Sequence, residues 1–161
     1  MMIAAENLTA RRVAPPLWGS FNGFAYVPRL PPNAYALFFH MLTQQEEGGL
    51  VIATHEELGA GLALDRVGIS RAMPHLVAAR LVRVVRRGRF QLHPMVAAFS
   101  SPKDQRQAVS DLPRSERLDI GHFEDEYERR LDLHQQEKAR KAEMRRRVTA
   151  IPRRPQLKSV P

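Results

Sequence analysis

The chain has 161 residues, a net charge of +8 and no cysteine, which excludes disulfide bonds and thiolate metal sites. Its 43 % hydrophobic and 26 % charged residues are ordinary for a globular protein. No apolar run is long enough for a signal peptide or a membrane span, so we expect a cytoplasmic protein with no membrane partner.

The positive charge is concentrated in two zones. Residues 64–93 carry seven arginines and one acid, and residues 138–161 carry nine lysines and arginines and one acid. The rest of the chain is net acidic. A localised basic surface is typical of proteins that bind a polyanion. The alternative is a generally arginine-rich protein in which these charges have no binding role.

The first 29 residues are predicted to form an arm that ends in a hairpin or an extended segment. Asn22-Gly23 lies between aromatic residues, and this dipeptide favours the type I′ turn of a β-hairpin because both of its positions tolerate a positive φ.

Residues 30–99 form the predicted folded domain. Prolines start its first helix, in "LPPNAYALFFHMLTQQ", and Gly48-Gly49 follow its end. Helical spacing predicts that four side chains of this helix face the core: Tyr35, Phe38, Phe39 and Leu42. The β-branched run at 50–53 predicts a short strand.

Two further helices are predicted after this strand. Thr54-x-x-Glu57 is a capping box that starts a helix over 54–62. Asp65 is the expected N-cap of the next helix. One face of that helix carries Ile69, Met73, Leu76 and Arg80, and the opposite face carries Val67, Arg71, Pro74, His75 and Ala78.

Pro74 lies inside this second helix, where its ring crowds the preceding turn and its missing N–H removes a hydrogen bond, at a cost of ~3 kcal/mol if nothing compensates. It comes nine residues after Asp65. We therefore expect one helix with a regular first turn and a bend near Ser70–Pro74, and not two separate segments.

A β-hairpin with a basic tip is predicted next. Val82 and Val84 pair with Phe90 and Leu92 across a turn at 86–89. The apolar residues 95–99 are expected to pack back on the core.

The remainder divides into three segments. Residues 100–119 are predicted to be a polar linker with a loop or short helix, residues 120–148 to form a charged helix, and residues 149–161 to be a disordered basic tail. The thin apolar stripe of Phe123, Tyr127 and Leu131 is expected to dock on the folded domain or on a second subunit.

The stretch "THEELGAGLALDRVGISRAMPHLVAARLVRVVRRGRFQLHP" resembles the winged helix-turn-helix of bacterial regulators of the MarR type. The positions that fit are Thr54, Glu57, Leu58, Leu62, Leu64, Ile69, Ser70, Arg71, Ala72, Leu76, Leu81 and Val82. The aromatic segment before the first helix and the "QLHPMVAAF" after the hairpin are also similar to the RepL family of plasmid replication proteins.

Two departures from the MarR-like pattern concern glycine positions. Ala63 lies where the turn often has glycine, and Arg80 lies where glycine usually follows the second helix. A non-glycine at position 80 implies a different helix end or an arginine held at an unfavourable φ.

The resemblance implies a mainly α-helical fold with a small antiparallel β-wing, a winged helix-turn-helix, followed by a long C-terminal helix. It also implies that the helix after Asp65 reads DNA bases in the major groove. The expected base-reading residues are Arg66, Val67, Ser70 and Arg71. The expected contacts to the DNA backbone come from Thr54, His75 and the hairpin arginines Arg86, Arg87 and Arg89.

No catalytic, metal or cofactor site is indicated. The six histidines show no metal-ligand spacing, and "GAGLAL" lacks the Lys-Ser/Thr of a phosphate-binding loop. The sequence therefore predicts a non-enzymatic, nucleoid-associated homodimer that binds specific double-stranded DNA, most simply a transcriptional regulator. A plasmid replication or maintenance protein and a protein-binding winged helix are the alternatives.

Overall fold

The computed structural model describes residues 17–150, which form a mainly helical fold with a small three-stranded antiparallel sheet and a long C-terminal helix. The helices are α1 (Pro32–Gln44), α2 (His55–Ala60), α3 (Arg66–Ala78), α4 (Pro102–Ser110) and α5 (Phe123–Thr149). The strands are β1 (Leu50–Ile52), β2 (Val82–Arg86) and β3 (Arg89–Leu92). Residues 1–16 of the predicted arm and residues 151–161 of the predicted tail lie outside the described residues.

The sheet has the order β1-β3-β2, with the hairpin β2–β3 at one side and β1 added to β3. Val82 lies opposite Leu92 and Val84 opposite Phe90, as the alternation of the sequence predicts. The register shifts between Val84 and Arg86, which leaves an extra residue on β2. Such a bulge increases the local twist of a strand and helps to aim the hairpin tip.

The helix starts predicted at Thr54 and Asp65 are confirmed. The Thr54 hydroxyl accepts a hydrogen bond from the Glu57 N–H at 3.1 Å, and the Glu57 carboxylate accepts one from the Thr54 N–H at 2.7 Å. The Asp65 carboxylate accepts from the Gly68 N–H at 2.7 Å. The turn between α2 and α3 accommodates Ala63 at a φ of 53°, so it accepts a Cβ where glycine is common.

Helix α3 is a single segment that contains Pro74, so Arg66 and Arg71 lie on the same element as predicted. The bend near Ser70–Pro74 stays a prediction. Beyond the helix end, Arg80 has a left-handed φ of 61°. Of the two possibilities that the sequence left open, a different helix end or an unfavourable φ, the structure therefore shows the second. The Arg80 guanidinium donates to the carbonyls of Ser115 and Arg117 at 3.0 and 3.2 Å, and these bonds hold the strained residue in place.

The hairpin expected at Asn22-Gly23 is wrong. Phe21–Tyr26 forms a 3-10 helix, capped by the Ser20 hydroxyl, which accepts from the Asn22 N–H. Gly23 is needed here for close packing, because a Cβ on it would clash with the Met95 carbonyl. An extended bridge between Trp18 and Phe99 precedes this segment.

The side of α1 that faces the core differs from the predicted side. Its buried residues are Ala34, Leu37, Phe38 and Met41, whereas Phe39 is 55 % exposed, so its predicted core position is wrong. Tyr35 and Leu42 are half-buried against the core. The aromatic pair Phe38-Phe39 fits either of two adjacent helix faces, and packing against α3 selects the face of Phe38.

Residues 95–119 complete the domain. Met95, Val96, Ala97 and Phe99 are buried, which confirms that this segment packs back on the core. The predicted polar linker contains helix α4. From it, the buried Gln105 side chain donates to the carbonyls of Pro94 and Ala97 and accepts from the Ser20 N–H, so it joins the linker to both ends of the domain.

Helix α5 packs on the domain through its first half. The Phe123 ring lies edge-on to Tyr26 with centroids 6.0 Å apart, and the Tyr127 hydroxyl lies 2.8 Å from His75 Nδ1. Leu131 is half-buried against the core. Of the two docking options for this stripe, the structure shows docking on the same chain.

Candidate nucleic-acid interface

A groove of about 540 Å³ lies between α3, the tip of the β2–β3 hairpin, the start of α2 and the middle of α5. It is lined by apolar side chains and by polar side chains, three of which are arginines. The apolar side chains are Met73, Pro74, Val77, Val84 and Phe90. The polar side chains are Thr54, His55, Glu56, Arg66, Ser70, Arg86, Arg87 and His134. We call this feature the basic groove.

Three arginines that the sequence assigns to two different elements meet at the basic groove. Arg66 comes from the first turn of α3, and Arg86 and Arg87 come from the hairpin tip. All three side chains are exposed, and within residues 17–150 none of them forms an ion pair. They are therefore available to an anion that enters the groove.

His55 is the central neutral group of the basic groove. Its Nδ1 lies 3.2 Å from the Ser70 hydroxyl, and its ring stacks on Phe90 with centroids 6.0 Å apart. Burial lowers the pKa of His55, and the positive charges of Arg66 and Arg87 lower it further. The ring is therefore neutral at pH 7 and gains a proton more easily when an anion offsets those arginines.

Val67 and Arg71 lie on the neighbouring face of α3 and do not line the groove. Both are exposed, with 52 % of Val67 accessible. Since residues 66, 67, 70 and 71 occupy the first two turns of one helix, the residues predicted to read bases form one continuous exposed surface on α3. Arg89 is half-buried beside the turn and pairs across the hairpin with Arg86.

Two of the predicted backbone contacts have internal partners. Thr54 lines the groove, but its hydroxyl and N–H both take part in the capping box. His75 does not lie in the groove; it is half-buried and bonds to Tyr127. His75 therefore serves the contact between α3 and α5 and is set apart from the other predicted site residues.

Sequence reasoning missed two members of the basic groove, His55 and His134. His55 directly follows the Thr54 cap, and its contact with Ser70 of α3 depends on how the two helices pack. His134 continues the helical spacing of Tyr127 and Leu131 on α5, but that spacing does not indicate that this face of the helix reaches the groove.

Within residues 17–150, no cluster of three or more His, Asp or Glu side chains is placed to hold a metal ion. In the same part of the chain, no helix combines the length and the apolar character that a membrane crossing requires. Comparisons of the chain with protein-family models, with curated proteins and with solved structures give no match.

Proposed function

We propose that the protein binds specific double-stranded DNA as a winged helix-turn-helix transcriptional regulator. The convergence of the first turns of α3 and the tip of the β2–β3 hairpin on one exposed basic surface is the observation that supports this proposal most. Two elements of this kind reach a major groove and the adjacent phosphates together in winged proteins.

Helix α3 is the proposed base-reading element. Its first two turns carry exposed side chains of three suitable kinds: Arg71 can donate two hydrogen bonds to guanine O6 and N7, Val67 can contact a thymine methyl, and Ser70 can bond to several bases. A bidentate contact from arginine contributes about 1–3 kcal/mol of discrimination between bases.

The hairpin tip is the proposed phosphate-contacting element. Arg86 and Arg87 extend from a tight turn at Gly88, whose φ is 73°. Contacts of this kind fix the position of the protein on the duplex and contribute to affinity for every sequence. They also release counterions, so they make affinity depend on salt.

Duplex affinity measured over a salt series tests this assignment. We expect log affinity to fall linearly with log salt concentration, and Arg87→Gln to make the slope less steep by about 1, because one phosphate contact is lost. The same variant is expected to weaken binding to all sequences by a similar factor.

Arg83→Gln is the matched control. Arg83 lies on the same hairpin and is exposed, but it does not line the basic groove; it lies near Arg80 and Leu92. We expect this variant to keep the wild-type slope. Equal slopes for both variants and the wild type would contradict the proposed role of the hairpin tip.

A partner protein is the second candidate ligand. It is favoured by exposed valines beside the basic surface: Val67, Val84 and Val85 are 52 %, 48 % and 52 % accessible. A complex built on these valines would depend weakly on salt, whereas phosphate contacts depend on it strongly. The salt series therefore separates the two candidates.

A further inference from the structure

Helix α5 has two halves with different surroundings. The first half is fixed to the domain by Phe123, Tyr127 and Leu131, as described above. From Asp132 to Ala150 every residue is exposed, and this second half makes no buried contact. At 1.5 Å per residue, residues 135–149, which follow the groove residue His134, extend the helix by roughly 22 Å.

The face of α5 that docks on the domain continues into the second half as a row of bases. Spacings of four, three, four, three and four residues join Tyr127, Leu131, His134, Lys138, Lys141 and Arg145. These positions share one side of an α-helix. The acids of the second half, Asp132, Glu137 and Glu143, lie off this side. We call Lys138, Lys141 and Arg145 the α5 basic stripe.

The point where α5 leaves the domain is the basic groove. His134 is the last residue of the helix in contact with it, and it shares the groove with Arg66 and Arg87. Lys138 and Lys141 follow one and two turns later on the same side. The stripe therefore starts next to the arginines of α3 and of the hairpin tip.

We propose that the α5 basic stripe is a third contact element for DNA, which binds the phosphates of the duplex beside the segment held by α3 and the hairpin. This inference rests on the proposed function. The occupant follows from charge complementarity and from continuity with the basic groove, because a phosphate backbone is a linear anion that such a row of bases can follow.

The alternative, a helix that is simply solvated, explains this pattern poorly. Within residues 132–150 the structure shows one ion pair, between Glu143 and Arg147, and it is highly exposed. Exposed pairs of this kind contribute little to helix stability. Leu133, Met144 and Val148 are also exposed, so no packed apolar face stabilises this half. A helix with neither a packed apolar face nor many ion pairs gains its order from a partner, or it frays.

The test compares two full-length triple variants in the salt series with duplex DNA. One is Lys138→Gln/Lys141→Gln/Arg145→Gln, and glutamine keeps the helix propensity of the residues it replaces. The matched control removes the same charge elsewhere, from exposed residues that do not line the groove: Arg29→Gln/Lys103→Gln/Arg106→Gln. Circular dichroism checks that both variants keep the helix content of the wild type.

We expect the stripe variant to have a slope less steep by about 2–3 and an affinity at least about tenfold lower at low salt, while the control keeps a near-wild-type slope. Identical behaviour of the two variants would overturn the proposal in favour of a solvated helix. Tighter binding by the stripe variant would also overturn it, since α5 would then oppose binding.

Failure of this inference is distinguishable from failure of the proposed function. If the wild type shows no salt-dependent duplex binding, both fail. If the wild type binds and Arg87→Gln reduces the slope, but the stripe variant matches the control, then only the role of α5 is wrong.

Discussion

The two halves of helix α3 differ in burial, and therefore in the contacts open to them. The first half, Arg66–Arg71, has all its charged side chains exposed and only Ile69 fully buried. The second half buries Ala72, Met73, Leu76 and Ala78, and α5 packs against it. The first half is therefore free to contact a ligand because the second half anchors the helix.

Pro74 lies at the boundary between these halves. It lines the basic groove, after the turns that carry the proposed base-reading residues and before the core residue Leu76. A helix interior tolerates proline at a cost that surrounding packing must offset. Because the first half of α3 is exposed and the second half is buried, we expect substitutions in the second half to change stability and substitutions in the first half to change ligand binding.

The largest expected effect is on the anchoring half. Leu76→Ala removes a side chain with no exposed surface, so we expect the free energy of unfolding to fall by about 2–5 kcal/mol. Val77→Ala is the neighbouring control, since Val77 is 39 % exposed and should lose less than about 1 kcal/mol. Urea denaturation measures both; similar losses would contradict the anchoring role of the second half.

The next effect concerns the end of α3. Arg80 adopts a positive φ, which costs a residue with a Cβ about 1–2 kcal/mol relative to glycine. We therefore expect Arg80→Ala to be less stable than Arg80→Gly by about 1 kcal/mol, although alanine is ordinarily the better helix former. Thermal denaturation of the pair decides the matter, and a more stable alanine variant would show that position 80 is not strained.

A smaller effect is expected from the contact between α3 and α5. Tyr127→Phe removes the hydroxyl that bonds to His75, so we expect a loss of about 0.5–1.5 kcal/mol in the free energy of unfolding. Tyr35→Phe is a matched control for a hydroxyl bonded to a backbone carbonyl, that of Pro28. Hydrogen exchange should report faster opening of the start of α5 in the Tyr127 variant alone.

Stability should also fall in acid. Burial lowers the pKa of His55, His75 and His93, so the unfolded chain binds more protons than the folded chain below pH ~6.5. The stabilisation is complete above that pH and is lost as pH falls through the lowered values. His93 is expected to dominate, because neutral Nδ1 accepts from the Met95 N–H while Nε2–H donates to the Glu116 carbonyl.

Denaturation midpoints at pH 7.5 and pH 5.5 measure this dependence. We expect the wild type to be less stable at pH 5.5, and His93→Gln to show a smaller difference between the two values. An unchanged difference in the variant would assign the dependence to the other two histidines.

Sequence patterns predicted the elements whose partners are local. The capping box at Thr54, the N-cap at Asp65 and the pairing of Val82 with Leu92 each depend on residues within a few positions or across one turn. The sequence also identified the arginines of α3 and of the hairpin as candidate site residues. The structure shows in addition that Arg66 and Arg87 line the same groove.

The features that sequence patterns did not predict depend on distant residues. Asn22-Gly23 has the composition of a hairpin turn, but the Met95 carbonyl packs against Gly23 and the segment is a 3-10 helix. Phe39 has the spacing of a core residue, but α3 packs on the adjacent face of α1. His134 reaches the groove only because Tyr127 and Leu131 dock α5 on the same chain.

An unbiased selection of duplex sequences bound by the full chain tests the central claim most directly, with the wild type compared with Arg71→Ala. We predict that the wild type enriches a defined motif and that Arg71→Ala loses preference at one guanine-containing position while keeping its melting temperature. Two symmetric copies of the motif would also support the predicted dimer. Failure of the wild type to enrich any sequence, or an unchanged motif with Arg71→Ala, would contradict the assignment of α3 as the base-reading element.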